Sequence, residues 1–324
     1  MRSLRERHVR VVTWPHCPVG AVADGIDGMS STPVIDVERL NLTYGDFHAV
    51  KDLSFQVRPG ELYALLGTNG AGKTSVLETV EGHRRATSGT VRVFGRSPHD
   101  RRAVRPRTGI MLQESGFSPD LTVRESVRLI GALTRRTDTV ERVLGVVNLT
   151  RKAGTTVAQL SGGEKRRLDF ATAVYGTPEL IFLDEPTTGL DIRSRDDLWD
   201  TVGRLREAGS TVVLTTHYLE EAQQHADRIG LMHGGTLHRE GTVSELTQAM
   251  PATIRFSLPV PAPAVPLPLP AVRDGDGTFL VETFGLQKDL HVLLGWAQEH
   301  SVELRGLQAG PTRLDDVFRA IGNG

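Results

Sequence analysis

At 324 residues the chain is long enough to bury a substantial core, which suggests one large domain with an appendage, or two domains. A formal net charge of -1 leaves no overall basic surface, so wrapping around DNA or RNA is not expected and no nucleic-acid partner is implied. The single cysteine, Cys17, rules out an internal disulfide and fits a reducing compartment, and no window approaches roughly 18 consecutive apolar residues, so any membrane role must act through a partner.

The N-terminal MRSLRERHVRVV is basic but lacks the apolar core of about 7 to 15 residues that a signal peptide needs. Residues 1–32 are expected to be disordered, with Met29 as an alternative start ahead of the strand-like patterning in MSSTPVIDVERL. From Val34 to about residue 216, the runs VIDVERL, DLSFQV, ELYALLG, TVRVFG, RTGIMLQ, ELIFLDE and TVVLTT alternate with amphipathic stretches. Strand runs separated by helical ones predict an α/β sheet covered by helices. Residues 121–150 contain no strand-like run, and Val123, Val127, Ile130, Leu133, Val140, Val143, Leu144 and Val147 recur at helical spacing, so a helical subdomain is expected between two strands.

Seven prolines between residues 251 and 270 exclude a helix there and predict a polyproline linker or extended loop over 258–270. Around it, TIRFSL, GTFLVETF and VELRGL read as strands, QKDLHVLLGWAQEH as a helix and RLDDVFRAI as a short helix, together a small α+β tail domain.

The motifs carry the chemistry. GTNGAGKTS fits the phosphate-loop pattern at Gly67, Gly72, Lys73 and Thr74, between an apolar strand and a helix. Its glycines, with Asn69 and Gly70, let backbone N–H groups converge on phosphate; Lys73 neutralises phosphate charge, Thr74 offers a hydroxyl to Mg²⁺, and Ser75 completes the nucleotide-binding set. LIFLDEP is a buried strand ending in Asp184 and Glu185 at the carboxyl edge of the sheet; Asp184 suits a Mg²⁺ shell and Glu185 a base for the attacking water. Gln113 also ends a strand, where an amide can touch Mg²⁺ or water. His217, in TVVLTTHYLEEA, is at a third strand end, where a histidine is structural more often than catalytic, yet can reach a γ-phosphate oxygen. LSGGEKRR, residues 160–167, sets two glycines ahead of another helix, a second backbone anion pocket in one chain.

In this order, GTNGAGKTS, the Gln113 loop, LSGGEKRR, LIFLDEP, the following TTGLD and TTH resemble the full motif set of an ATP-binding cassette (ABC) ATPase. The resemblance implies a phosphate-loop ATPase domain over 33–250, with a RecA-like core, an antiparallel β subdomain and a helical subdomain at about 115–175, and then an accessory α+β domain over 251–324. It implies ATP and Mg²⁺ as cofactors, with Thr74, Gln113 and Asp184 on the metal and Glu185, His217 and Gln113 in catalysis. Tyr44 occupies the position of the aromatic that stacks on adenine. Two such domains pack head to tail, so Ser161, Gly162 and Gly163 would close over the γ-phosphate held by a second copy or a related subunit, with Asp191 across the interface.

The ending PTRLDDVFRAIGNG, with Leu314, Asp315, Asp316, Val317 and Phe318, is similar to ATP-binding subunits of bacterial type-2 exporters, including the daunorubicin-resistance group. That likeness implies a peripheral subunit at the cytoplasmic face of the membrane, driving a separate permease that exports a drug, antibiotic or lipid-like substrate. The alternatives are a soluble cassette ATPase acting on ribosomes or DNA, and an importer ATPase. Departures from the pattern are Glu164 and Lys165 after the glycines and the proline-rich stretch in the tail.

Overall fold

The computed structural model describes residues 32–112, 116–248, 250–259, 265–275 and 277–322. The expectation of disorder for residues 1–32 falls almost wholly outside them. In chain order the elements are β1 (Ile35–Tyr44), β2 (Phe47–Val57), β3 (Leu62–Gly67), α1 (Lys73–Val80), β4 (Ser88–Val93), α2 (Arg101–Val104), β5 (Thr108–Met111), α3 (Val123–Thr134), α4 (Val140–Val146), α5 (Gly162–Ala173), β6 (Leu180–Asp184), α6 (Ile192–Glu207), β7 (Thr211–Thr215) and α7 (Leu219–His225). They continue with β8 (Arg228–His233), β9 (Thr236–Gly241), α8 (Val243–Gln248), β10 (Ala252–Ser257), β11 (Val272–Arg273), β12 (Thr278–Thr283), α9 (Leu286–Glu299), β13 (Arg305–Gly310) and α10 (Leu314–Gly322).

Six strands form the central sheet in the order β5-β6-β7-β3-β8-β9, parallel except for the antiparallel edge strand β9. Strand β3 is buried at all six positions because both sheet faces are covered. Its side chains divide by the pleat: Leu62, Ala64 and Leu66 join the core under the helical region, while Tyr63 and Leu65 join the core shared with β1, β2, β4 and α1. Strands β2-β1-β4 form a separate antiparallel sheet. Because β3, β6 and β7 run in one direction with Asp184 beside Thr215, the residues after Gly67, Asp184 and Thr215 emerge at one edge.

The helices of 121–150 are α3 and α4, each opened by a threonine whose hydroxyl accepts from the backbone three residues on. The hairpin β8–β9 is absent from the sequence expectations. Its two glycines at the turn, Gly234 and Gly235, both take positive φ, which supplies the tight reversal.

The tail sheet runs β11-β12-β10-β13, and with α9 it closes its own small core around Ile254, Phe256, Val281, Leu293 and Trp296. The described part of the proline-rich stretch is more than a spacer, since Leu258, Val265, Leu267 and Leu269 pack against that core. Helix α10 leaves the tail sheet. Its Leu314 and Val317 are fully buried in the same core as Leu231 and Leu246, and the Leu314 N–H donates to Gln223 Oε1 of α7 at 3.5 Å.

Candidate active site

The phosphate loop begins where β3 runs out of neighbours. Gly72 caps α1 at φ 95°, with no side-chain cap, and a Cβ there would come within 2.7 Å of the Ala49 carbonyl oxygen. The tip residues Asn69 and Gly70 are exposed, as is Thr74 in the first helical turn. Lys73 folds back over this loop, its Nζ donating to the Gly67 and Thr68 carbonyls at 2.8 and 3.3 Å. Burial pulls the ammonium below the ordinary lysine range, opposed by the carboxylates of Glu185 and Asp184. Behind the loop, the Tyr44 hydroxyl meets Ser75 Oγ at 2.7 Å, and the Arg84 guanidinium lies 4.3 Å from the Tyr44 ring centroid.

At the end of β6, Asp184 accepts a hydrogen bond from Thr215 Oγ1, and burial raises its carboxyl above the usual range. Glu185 turns sharply, at φ 48°, a left-handed backbone that costs a non-glycine residue roughly 1–2 kcal/mol. The turn is held by the Glu185 N–H donating to the Thr215 carbonyl at 2.9 Å. His217 Nδ1 lies 3.2 Å from Glu185 Oε1, while its ring rests 4.0 Å, centroid to centroid, from Tyr218. Three strand ends thus gather Lys73, Asp184, Glu185 and His217. Gln113 lies outside the described residues.

The second helix start is built differently. Ser161 caps α5 in a reciprocal box: Glu164 N–H donates to Ser161 Oγ at 3.3 Å and Ser161 N–H to Glu164 Oε2 at 2.9 Å. Lys152 Nζ sits 3.0 Å from Glu164 Oε1. The Ser161 N–H, with Lys152, holds the Glu164 carboxyl below its usual range. Gly163 neighbours the other loop, since a Cβ there would lie 3.6 Å from the Gly189 carbonyl oxygen. Asp191, which caps α6 by accepting from the Ser194 N–H at 2.8 Å, ends that loop. Gly163 therefore borders the TTGLD segment.

The sequence reading missed Arg166. Buried at 7% exposure, its guanidinium donates to the main-chain carbonyls of Leu112, at 2.7 Å, Asp184, and Glu185, at 2.6 Å. The available signal was an arginine four residues before Phe170, on the helix face that turns inward.

The site accommodates a nucleoside triphosphate. A part-buried ammonium facing carbonyls rather than a paired carboxylate, an uncapped helix start and exposed loop glycines all call for a polyanion. The Asp184 carboxylate and the Thr74 hydroxyl are the oxygen donors Mg²⁺ takes, with waters and phosphate oxygens for the rest of its shell. Among the described residues no group of three or more His, Cys, Asp or Glu side chains could hold a metal alone.

Fold and site together define a phosphate-loop ATPase with a second, self-capped helix start beside its TTGLD loop. The ABC transporter family matches residues 50–188, and the family described as ABC transporter domain-containing protein-like, C-terminal domain, matches residues 252–312. The chain is 34% identical over 306 residues to the daunorubicin/doxorubicin resistance ATP-binding protein of Streptomyces peucetius, covering 90% of this chain and 92% of that one. It is 38% identical over 218 residues to Nod factor export ATP-binding protein I of Rhizobium etli, covering 65% of this chain and 69% of that one. Among solved structures, the ATP-binding subunit of an ABC transporter matches in fold with a TM-score of 0.63 at 24% identity, over 67% of this chain and 92% of that one. A dimeric ATP-binding cassette in a post-hydrolysis state bound to ADP and Pi matches with a TM-score of 0.59 at 25% identity, over 64% of this chain and 98% of that one. The chain belongs to the ABC transporter ATP-binding proteins, ATPases coupled to transport.

Proposed function

We propose that the chain is the ATP-hydrolysing subunit of an ABC exporter, working as a dimer with a second copy or a related subunit against a separate membrane permease. The observation that carries the exporter reading is the likeness to the daunorubicin/doxorubicin resistance relative through the tail as well as the cassette, over 90% of this chain. The exported class is then a drug, antibiotic or lipid-like substrate, and the subunit is peripheral at the cytoplasmic face. Among the described residues no helix is long and apolar enough to cross a membrane.

In this reading Tyr44 stacks on adenine, and Asn69, Gly70 and Gly72 turn their N–H groups to the phosphates, with Lys73 on the β and γ oxygens. Thr74, Asp184 and Gln113 would hold Mg²⁺, which when bound would supply charge neutralisation at those oxygens. Glu185 takes the proton of the attacking water, and His217, 3.2 Å from its carboxylate, keeps it aimed and reaches the γ-phosphate. Ser161 to Gly163 and Asp191 serve the site of the second subunit, so that binding energy spent on ATP goes into closing the dimer. Opening follows hydrolysis, when the shared phosphate contacts are lost.

The permease would dock at an apolar groove of about 240 Å³ lined by Val80, Val104, Ile110, Leu112 and Ile130, between the sheet and α3. Leu129 and Leu133 of α3 are exposed, Leu133 at 70%. The test is co-purification of the tagged chain from membranes. Recovery with a polytopic membrane protein supports the reading, and sedimentation with ribosomes without such a partner overturns it.

A further inference from the structure

We propose that Arg166 is a positioning residue for ATP hydrolysis, acting as a brace that makes the Ser161–Gly163 helix, the Asp184–Glu185 turn and the Leu112 end of β5 one mechanical unit. The inference deepens the proposed ATPase site and rests on that reading.

The guanidinium sits in the first turns of α5 and directs both terminal nitrogens at main-chain oxygens. Nη1 donates to the Leu112 carbonyl at 2.7 Å, and Nη2 bridges the carbonyls of Asp184 and Glu185, the latter at 2.6 Å. Carbonyl acceptors fix backbone, whereas a carboxylate partner would only neutralise charge. The held peptide needs holding, because Glu185 has a left-handed φ of 48° and carries the proposed base. Its N–H is pinned from β7 by the Thr215 carbonyl and its C=O from α5 by Arg166, so both ends of the strained residue are fixed by different elements.

Burial lowers the guanidinium's affinity for its proton, while the nearby carboxylates of Asp169, Asp184 and Glu185 act in the opposite direction. Leu112 directly precedes Gln113 and lines the apolar groove proposed for the permease. A shift of that segment pulls on Nη1, and the planar fork passes it to the Glu185 carbonyl and to α5. Lysine carries its three donors on one nitrogen and lacks the planar fork that holds Leu112 through Nη1 and the Asp184–Glu185 pair through Nη2.

The experiment uses the full chain with Arg166→Met, which keeps apolar bulk, and Arg166→Lys, which keeps charge. Melting temperature, trinitrophenyl-ATP binding, kcat and KM are measured against wild type. The expected result is trinitrophenyl-ATP binding within about twofold of wild type and a kcat about 100-fold lower for Arg166→Met, the loss a misplaced catalytic group brings, with only partial recovery in Arg166→Lys. A folded Arg166→Met chain with kcat within about threefold of wild type overturns the proposal. So does a fall in nucleotide binding that matches the fall in kcat, which marks a merely structural role. If Arg166→Met does not fold, a folded Arg166→Lys chain with wild-type kcat overturns it, and one with lowered kcat at unchanged KM supports it. A wild-type chain that hydrolyses no ATP would count against the ATPase reading itself.

Discussion

Helix α1 opens on Gly72, left-handed and without a side-chain cap, whereas α5 opens on Ser161, which with Glu164 forms a closed capping box flanked by Lys152. Both starts carry glycine and both have N–H groups that intrahelical bonding leaves over. The first leaves those donors to whatever enters its loop and sets a lysine beside them. The second satisfies two donors internally and keeps a carboxylate beside the rest, so it holds its own shape and binds a free anion poorly. In the proposed dimer, a phosphate brought up by another subunit, already neutralised by lysine and Mg²⁺, would be the partner such a surface suits.

The comparison can be broken most decisively at Glu185. Glu185→Gln is expected to keep ATP binding and lower kcat by about 10³-fold, with ATP driving a dimer that sizing chromatography detects. A variant that hydrolyses ATP at the wild-type rate would remove Glu185 as base. At the first helix start, Lys73→Ala should lower kcat/KM by about 10²- to 10³-fold and weaken ATP binding in calorimetry. Unchanged binding there would mean that the nucleotide lies elsewhere. At the second start, Ser161→Arg should reduce hydrolysis by about 10- to 100-fold while the isolated chain still binds ATP as wild type does. Loss of binding in that chain would put α5 in its own subunit's site. The smallest effect is at Glu164→Gln, which retains the capping box but removes a carboxylate from beside the second subunit's phosphate. ATP-driven dimerisation should then need about twofold less ATP, a difference readable in a titration followed by light scattering.

Much of the site was legible because phosphate chemistry constrains backbone, and backbone constraints show as glycines and strand-end acids at fixed spacing. Gly67, Gly72, Asp184 and Glu185 are such cases, and Lys73 follows the glycines at fixed spacing, whereas His217 carries little signal by itself. The gathering of these residues also followed from the sequence, since parallel strands deliver their following loops to one edge. Arg166 was harder to read for the opposite reason: the acceptors at Leu112, Asp184 and Glu185 are carbonyls, which every residue has, so only its place on the inward face of α5 marked it. The β8–β9 hairpin was missed although Gly234–Gly235 between RIGLMH and TLHREG is a two-residue turn signal, because TLHREG is too polar to stand out as a strand. The accessory tail was visible as strands and a helix, but periodicity could not say which core the last amphipathic segment would join. Leu314 and Val317 chose the cassette.

That choice has a consequence for the order in which the protein is made. A nascent chain that already displays all six strands of the central sheet still lacks the two apolar side chains that seal the floor beneath α7 and α8. Completion of the ATPase therefore waits until the whole tail sheet has been made, and a protease cut in the exposed turn at Pro311 or Arg313 would unplug the cassette while leaving every proposed nucleotide-contacting residue on one fragment.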